Sequence, residues 1–388
     1  MIDKKVGSII VFVIFILFTV GSYAYFSNPK QIGIISPLTK YQPPGTNDLT
    51  ATNNPDEPKT EVCPINGEYL TETQKSKWEK RRPLGVMIEN HKEARPQSGL
   101  SSADVIYEAV AEGGITRFLA VFYCQDAQFI GPVRSARIYF VRLLQGYRNY
   151  PLYAHVGGAN TPGQADALGE IRDLEWGSYN DLNQFSVPFP YFWRDYERLP
   201  NRATEHTVYS STVKLWQYAA SQRGLTNVDK DKQSWDENFV SWKFQDDASK
   251  SKRGTTSKIS FKFWDSFKSD YSVDWVYNQE NNVYKRVNGG VEYIDKNNGK
   301  QLTVKNVIIV FTKESPANDG YEGGHILYKI VGSGDGLLFQ NGQAIKISWQ
   351  KKDEESSIKF YDENGKEAEL VRGLDWIEIL SVGNEATY

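Results

Sequence analysis

Residues 104–124 read DVIYEAVAEGGITRFLAVFYC, and this stretch decides how the first half of the chain folds. Residues 104–112 fit either a helix or a strand, but alternate positions carry Glu108 and Glu112, which favours a strand with one polar-bearing face. A Gly-Gly pair then interrupts the pattern, and residues 115–124 form a second, strongly apolar run. The sequence therefore predicts a β-hairpin at this point.

Strand and helix patterns alternate on both sides of this hairpin. The predicted strands cover 84–88 and 153–156, and the predicted helices cover 74–82, 137–147, 163–174 and 210–223. Such interleaving is typical of an α/β domain with a mixed sheet, which we place at 83–225. From 258 to 388, short β-rich runs are separated by Asn-Gly turns, which predicts a mostly-β domain. We therefore expect the α+β class, with a charged linker or insertion at 226–257.

The N-terminal segment predicts a membrane anchor. Lys4 and Lys5 precede 6–26, an uncharged apolar stretch that is long enough to span a bilayer, for which roughly 20 residues suffice. Lysines before the span favour a cytoplasmic tail at 1–5, a transmembrane signal anchor at 6–26 and an extracytoplasmic remainder. A cleaved signal peptide is the alternative, although the run is long for its apolar core. Residues 27–82 begin with a Pro-, Thr- and Asn-rich run and are predicted to be a flexible linker.

Composition narrows the function classes. A formal net charge of -3 argues against a nucleic-acid-binding protein, whose domains usually carry a basic surplus. The chain has 10 Trp, 23 Tyr and 19 Phe residues, which suits either aromatic-filled sheet cores or a surface that faces polar ligands such as glycans. No Gly-x-Gly-x-x-Gly motif or Walker lysine accompanies the glycine pairs. We therefore expect no nucleic-acid partner and no cofactor.

Cys63 and Cys124 are the two cysteines of the chain. Outside the membrane two thiols pair more often than they stay free, so we expect a disulfide that pins the linker to the predicted hairpin. Neither cysteine sits in a paired ligand spacing, which argues against a metal site.

Several motifs together resemble a known family. They are PLGVMIEN at 83–90, ARPQSGL at 94–100, EGGITRF at 112–118, GPVRSAR at 131–137, HVGG at 155–158, WVY at 275–277 and YKR at 284–286. In these motifs the chain is similar to the YerB family of bacterial cell-envelope proteins, many of them lipoproteins, with an N-terminal and a C-terminal domain of unknown function. The resemblance implies a bacterial, extracytoplasmic protein with two associated domains, and it brings no activity. The chain departs from the family by lacking a lipidation cysteine, so we expect the transmembrane helix to replace the lipid anchor.

The motif GPVRSAR at 131–137 carries the strongest binding hypothesis. A Gly-Pro turn delivers two arginines and a serine to the start of a predicted helix, whose free N–H groups and dipole favour anions. The predicted anion- or ligand-binding residues are Arg117, Arg134, Ser135, Arg137 and His155. The alternative is that the arginines pair internally with Glu108 or Glu112.

No complete catalytic signature is present in the sequence. The catalytic candidates are His155, Glu108 and Glu112, as a general base or as a carboxylate pair for glycoside hydrolysis. His206 is a further candidate base. The acidic set of Glu89, Asp104, Glu108 and Glu112 could, with His91, hold a divalent cation, but no spacing supports a metal. Ser135 as a nucleophile would need a histidine beside it, and it lacks a Gly-x-Ser-x-Gly elbow.

These observations together predict a membrane-anchored envelope protein. Its expected ligand is an anionic or glycan cell-wall polymer, or a partner protein of the envelope, bound at the 131–137 turn. The first alternative is a hydrolase or transferase that acts on wall polymers. The second alternative is a structural scaffold whose motifs hold the two domains together.

Overall fold

The computed structural model of the protein describes residues 56–388. Its helices are α1 (Glu72–Trp78), α2 (Ile138–Gln145), α3 (Ala167–Asp173), α4 (Thr212–Arg223) and α5 (Lys268–Tyr271). Its strands up to the middle of the chain are β1 (Lys59–Val62), β2 (Tyr69–Thr71), β3 (Leu84–Glu89), β4 (Val105–Glu112), β5 (Ile115–Phe122), β6 (Leu152–His155), β7 (Asp181–Asn183), β8 (Trp193–Arg194), β9 (Val208–Tyr209) and β10 (Lys243–Gln245). The later strands are β11 (Lys258–Phe261), β12 (Val273–Asn278), β13 (Val283–Asn288), β14 (Val291–Glu292), β15 (Ile294–Asp295), β16 (Lys300–Gln301), β17 (Thr303–Val304), β18 (Asn306–Thr312), β19 (Glu314–Pro316), β20 (Ile326–Tyr328), β21 (Gly332–Gln340), β22 (Gln343–Lys351), β23 (Lys359–Asp362), β24 (Glu369–Val371), β25 (Asp375–Ser381) and β26 (Ala386–Thr387).

The predicted membrane anchor at 6–26 lies outside the described residues, as do the predicted cytoplasmic tail and the start of the predicted linker. Within the described part of the chain, no helix has the length and apolar character needed to cross a membrane.

Ten strands form the main sheet, in the order β23-β22-β21-β18-β25-β4-β5-β3-β6-β7. Strands β18, β25 and β4 run parallel to one another, as do β3, β6 and β7, and the remaining neighbours are antiparallel. The pairing of β25 with β4 sets Ile377 opposite Tyr107 and so joins the two halves of the chain in one sheet. The predicted α+β class is confirmed, whereas the shared sheet was not predicted.

The predicted hairpin is present as β4 and β5, with Glu108 opposite Phe118. The register shifts between Val110 and Glu112, next to the Gly-Gly turn. Every residue of β4 except Glu112 is buried, so the face that carries Glu108 does not meet solvent. It meets a second sheet, where Arg286 contacts Glu108.

That second sheet contains β11, β12, β13, β14 and β26, and β17 joins it by pairing with β13. Burial alternates along β13, so Tyr284, Arg286 and Asn288 all lie on the inner face. Trp275 of β12 meets Trp376 of β25 edge to face, with ring centroids 5.3 Å apart. The two sheets therefore pack through large side chains that surround a buried arginine.

Helix α2 packs on the opposite side of the hairpin. The hydroxyl of Tyr139 donates to the carbonyl of Val110 at 2.6 Å. Leu144 lies against Gly85 of β3, where a Cβ would come within 2.8 Å of the leucine side chain. Glycine at this position therefore permits the close approach of the helix to the sheet.

Both predicted linkers contain ordered elements. Within 27–82, β1, β2 and α1 are present, and Thr71 begins α1 in a capping box with Gln74. Within 226–257, Trp235 is 2% exposed and β10 pairs in parallel with β24. Distant partners also hold both segments: Arg82 donates to the carbonyl of Thr226 at 2.6 Å, and β10 pairs with β24. The polar composition of the segments does not reveal these contacts.

The predicted disulfide between Cys63 and Cys124 is confirmed, with the two Cα atoms 6.0 Å apart. Asp104 lies beside it and accepts the N–H groups of Tyr123 at 2.6 Å and Cys124 at 3.0 Å. Burial raises the pKa of Asp104 to about 7. Ligand atoms of the two cysteines and Asp104 lie close enough together to hold an ion, but the bonded sulfurs are not thiolates and so are not metal ligands.

Candidate functional site

The predicted Gly131–Arg137 turn is an extended segment along the end of β3. The N–H of Arg134 donates to the carbonyl of Met87 at 2.9 Å. Gly131 has a φ of +144°, and a Cβ there would meet the carbonyl oxygen of Val208 at 2.8 Å. A glycine is therefore required where the segment passes between its neighbours.

Two of the predicted anion-binding arginines are ion-paired inside the protein. Arg137 pairs with Glu112 and also donates to the carbonyl of Ala136 at 2.6 Å. Arg117 donates to the second oxygen of Glu112 at 3.2 Å and to the carbonyl of half-buried Ser135 at 3.2 Å. Burial lowers the pKa of Arg117 to about 10, which leaves the guanidinium charged at neutral pH. These contacts are the internal pairing that the sequence left open, with Glu112 as the shared partner.

Arg134 has a different environment. Its Nε donates to Glu89 at 3.1 Å, and its side chain keeps 27% exposure, against 8% for Arg137. The second carboxylate oxygen of Glu89 lies 2.9 Å from Nδ1 of His206. Glu89 is buried and therefore holds the arginine and the histidine side by side.

His206 also stacks on His91, with ring centroids 5.0 Å apart and planes 8° apart. The hydrogen bond with Glu89 raises the pKa of His206. Burial and the neighbouring His206 lower the pKa of His91. The pKa values of the two stacked rings are therefore shifted in opposite directions. We call Glu89, His91, Arg134 and His206 the Glu89 cluster.

His155 is fully buried, and both of its ring nitrogens have partners. Nδ1 lies 2.7 Å from the carbonyl of Gly157, and Nε2 lies 2.6 Å from Asp181. A general base needs a nitrogen within reach of a substrate proton. This geometry fits a histidine that fixes the end of β6 to β7, and its part in ligand binding stays a prediction.

Glu108 belongs to a buried network between the two sheets. Its Oε2 accepts a hydrogen bond from Arg286 at 2.7 Å, and a second guanidinium nitrogen donates to Glu378 at 3.0 Å. The indole N–H of Trp376 donates to Glu108 at 3.1 Å, and that of Trp275 donates to Glu378 at 2.9 Å. The three charged side chains are all 0% exposed. We call Glu108, Arg286 and Glu378 the Arg286 network.

Two carboxyl groups share one guanidinium in the Arg286 network. Burial, together with the charge of Glu108, raises the pKa of Glu378 well above its ordinary value. Although burial opposes a charged guanidinium, the two glutamates raise the pKa of Arg286. The guanidinium carbon lies 4.3 Å from the centre of the Trp376 ring, which adds a cation–π contact. Because none of its three side chains is exposed, the network cannot contact a ligand in solvent, and its role is to join the two sheets.

Two of these pairings were not predicted from the sequence. Glu89 and His206 are 117 positions apart, and no local pattern connects them. Arg286 and Glu108 are 178 positions apart, but here a signal exists. Arg286 lies between Tyr284 and Asn288 on the inner face of β13. A charged residue on such a buried face requires a buried partner.

Comparisons with known proteins agree with the motifs. The N-terminal domain described as "Protein of unknown function (DUF3048)" matches residues 70–226, and the C-terminal domain of the same description matches residues 259–377. The Bacillus subtilis (strain 168) protein named "Putative lipoprotein YerB" is 33% identical over 327 residues, which are 84% of this chain and 88% of the relative. The chain belongs to the YerB family. The crystal structure of the YerB protein from Bacillus subtilis has a TM-score of 0.67 to this fold and 28% sequence identity, and the match covers 84% of this chain and 100% of that chain.

The Arg286 network connects the two domains of this YerB-family chain. Glu108 lies within the match to the N-terminal domain, and Arg286 lies within the match to the C-terminal domain. The Glu89 cluster, by contrast, lies wholly within the N-terminal match. The first group is therefore interdomain and enclosed, whereas the second belongs to one domain and includes the partly exposed Arg134.

Proposed function

We propose that this chain is a membrane-attached, extracytoplasmic envelope protein that binds an anionic ligand at the Glu89 cluster. The name of the Bacillus subtilis relative, "Putative lipoprotein YerB", supports attachment to a membrane. The Cys63–Cys124 disulfide supports an oxidising location outside the cytoplasm. In this proposal residues 6–26 span the membrane with 1–5 in the cytoplasm, and the ligand is a wall polymer or a partner protein of the envelope.

The observation that carries the proposal is the partly exposed Arg134 beside His206. Glu89 engages Nε of Arg134, and no hydrogen bond joins the two terminal nitrogens of this guanidinium to another described residue. Such a fork fits a phosphate, sulfate or carboxylate group in a bidentate manner. Arg134 and Glu89 cancel in charge, so protonation of His206 gives the three groups a net positive charge. The proposed ligand is therefore an anion, and its binding depends on pH.

Glu205 opposes the binding of an anion at the Glu89 cluster. It is exposed and directly precedes His206 in the chain. The pKa of Glu205 is lowered by its own backbone hydrogen bond and by the charges of His206 and Arg134, so it is ionised at neutral pH. A negative charge at this position repels an anionic ligand, and its removal is expected to strengthen binding.

Arg134→Gln is expected to abolish stabilisation by sulfate. With the intact chain, sulfate at ten times its dissociation constant adds about 1.4 kcal/mol to the free energy of unfolding and raises the unfolding temperature. The measurement is thermal unfolding near pH 6 in sodium sulfate, compared with sodium chloride of equal ionic strength. Glu205→Gln is expected to enlarge the shift.

Arg142→Gln is the matched control for this experiment. Arg142 is a comparably exposed arginine on α2 that pairs with Glu170, away from the Glu89 cluster. Its substitution is expected to leave the sulfate shift unchanged. A shift that persists in Arg134→Gln, or one that is lost equally in Arg142→Gln, would contradict the proposed site.

Acid–base chemistry on a wall polymer is a second candidate function. It is favoured by the opposite pKa shifts of the stacked His206 and His91, because a raised and a lowered pKa side by side assign an acid and a base. The test is release of soluble fragments from purified wall material by the intact chain. Loss of that release in His206→Gln would favour an enzyme, and absence of release in the intact chain would leave binding as the function.

A further inference from the structure

Phe185 is the most exposed large apolar side chain in the described part of the chain, at 78%. It follows β7 at the edge of the main sheet, and its ring lies against Gly157, which follows β6. Gly157 has a φ of +58°, and a Cβ there would lie 3.2 Å from Cε2 of the ring. The glycine therefore permits both this backbone conformation and the position of the ring.

Hydrogen bonds hold the backbone next to this ring. Oδ1 of Asn183 accepts the N–H groups of Gly157 at 3.1 Å and Phe185 at 3.3 Å. The carbonyl of Gly157 lies 2.7 Å from Nδ1 of His155 and accepts the N–H of Ala136 at 2.9 Å. The base of the side chain is thus fixed, while most of the ring remains in solvent. An aromatic surface that is already in place loses less conformational entropy when it binds a ligand.

The same backbone pairing brings the ring next to the 131–137 turn. Ala136 forms a parallel bridge with Gly158, so Ser135 lies opposite Gly157. Residues that lie opposite each other on neighbouring strands direct their side chains to the same face. Ser135 is half-buried, and no hydrogen bond joins its hydroxyl to another described residue. The aromatic ring, this hydroxyl and the partly exposed Arg134, one position earlier, therefore line one stretch of surface.

The three side chains of this surface offer three different contacts. The terminal nitrogens of Arg134 suit an anionic group, which they can hold in a bidentate manner. The hydroxyl of Ser135 can donate to, or accept from, a hydroxyl group. The ring of Phe185 suits the apolar face of another ring. A sugar that carries a phosphate or a carboxylate presents all three complementary groups.

Charge argues against an anionic bilayer as the occupant of this surface. The segment 185–206 contains three arginines and three carboxylates, so its net charge is zero with histidine neutral. They are Arg194, Arg198 and Arg202, and Asp195, Glu197 and Glu205. Segments that recognise anionic lipids typically carry a cluster of about 4–8 basic residues. A small anionic ligand needs no such surplus, because one arginine can pair with it directly.

We propose that the anion bound at the Glu89 cluster is a substituent of a saccharide, whose ring stacks on Phe185 while its charged group pairs with Arg134. The hydroxyl of Ser135 donates to a hydroxyl oxygen of the sugar. This inference rests on the proposed anion site and adds the class of ligand. That class is a phosphorylated or carboxylated sugar, rather than a free anion or a linear polyol phosphate.

The test compares glucose 6-phosphate with glycerol 3-phosphate, which carries the same charged group without a sugar ring. Each is titrated separately into the intact chain near pH 6 and followed by calorimetry. We expect glucose 6-phosphate to bind about fivefold more tightly, because only this ligand stacks on the aromatic ring. Phe185→Ser is expected to lower its affinity to that of glycerol 3-phosphate, whose own affinity stays unchanged. Phe185→Tyr is expected to keep the preference.

Tyr388→Ser is the matched control. Tyr388 is an exposed aromatic residue, at 56%, that contacts Phe339 of β21. Its substitution is expected to leave the preference for glucose 6-phosphate unchanged. Because Phe185 is so exposed, Phe185→Ser is expected to leave the unfolding temperature unchanged, so that a loss of preference is not a loss of folding.

The outcomes separate this inference from the anion site on which it rests. Equal affinities of the intact chain for the two phosphates, or a preference that persists in Phe185→Ser, would overturn the saccharide and leave the anion site in place. Absence of binding by both phosphates would overturn the anion site and the saccharide together. A preference for vesicles of phosphatidylglycerol over phosphatidylcholine that is lost in Phe185→Ser would assign the ring to a membrane surface and overturn the saccharide.

Discussion

Arg286→Met is expected to lower the free energy of unfolding by about 3–5 kcal/mol, because it leaves a buried carboxylate without its cation. Glu108 and Glu378 share this guanidinium at 2.7 Å and 3.0 Å, and all three side chains are 0% exposed. Methionine fills much of the space but supplies neither charge nor a hydrogen-bond donor. Equilibrium unfolding in urea, followed by tryptophan fluorescence, measures the loss.

A second substitution separates charge from packing in this experiment. Arg286→Met combined with Glu108→Gln removes the unpaired charge while the amide oxygen can still accept from Thr116, which now donates to Glu108 at 2.7 Å. We expect the double variant to recover roughly 1–3 kcal/mol relative to Arg286→Met alone. Arg172→Met serves as the control, because Arg172 and its partner Asp173 are both 75% exposed and such pairs contribute about 0–1 kcal/mol. If Arg286→Met proves as stable as this control, the buried ion pair does not hold the domains together.

Removal of the disulfide by Cys63→Ala with Cys124→Ala is expected to cost about 4 kcal/mol. The bridge closes a loop across a sequence separation of 61 residues, so its loss restores the conformational freedom of that segment in the unfolded chain. Unfolding in urea again provides the measurement, and addition of a reductant to the unmodified chain should reproduce the same loss. Free thiols in the native, unreduced chain, or an unchanged free energy of unfolding, would show that the bridge does not form or does not stabilise.

Local patterns were sufficient to predict much of the fold. The hairpin of β4 and β5, the helices α2, α3 and α4, and the α+β class follow from periodicity and from glycine pairs, which depend on neighbouring residues. The bond between Cys63 and Cys124 followed from the number of cysteines and the expected compartment. Family membership followed from motifs that are long enough to be specific.

The same local patterns could not predict contacts between segments that are distant in sequence. In the pairing of β25 with β4, Ile377 lies opposite Tyr107, which is 270 positions earlier in the chain, and nothing in either strand specifies the other. The polar stretch at 226–257 looks like a linker because its order depends on Trp235 and β10, which pack against remote partners. The composition of a segment indicates which structure it can form by itself, but it does not indicate which distant segments pack against it.

At the candidate site, too, local features could be predicted from the sequence, whereas contacts between distant residues could not. The 131–137 motif predicted an anion site at its arginines, and that site stays a prediction, but the sequence could not tell which of these arginines are neutralised by internal ion pairs. Glu112 engages Arg117 and Arg137, whereas Glu89 engages Arg134 through one nitrogen and leaves it partly exposed. His206 joins this cluster from a distant loop, so its proximity to Arg134 is a property of the fold.

Calorimetric titration of the intact chain with sodium sulfate tests the anion site most directly, because sulfate keeps its charge between pH 6 and pH 8. The hydrogen bond with Glu89 raises the pKa of His206, so this ring is protonated near pH 6 and loses its proton as the pH rises through that raised value. We predict saturable binding to one site near pH 6 and binding about tenfold weaker near pH 8. Absence of binding near pH 6, or equal affinity at both pH values, would contradict the account.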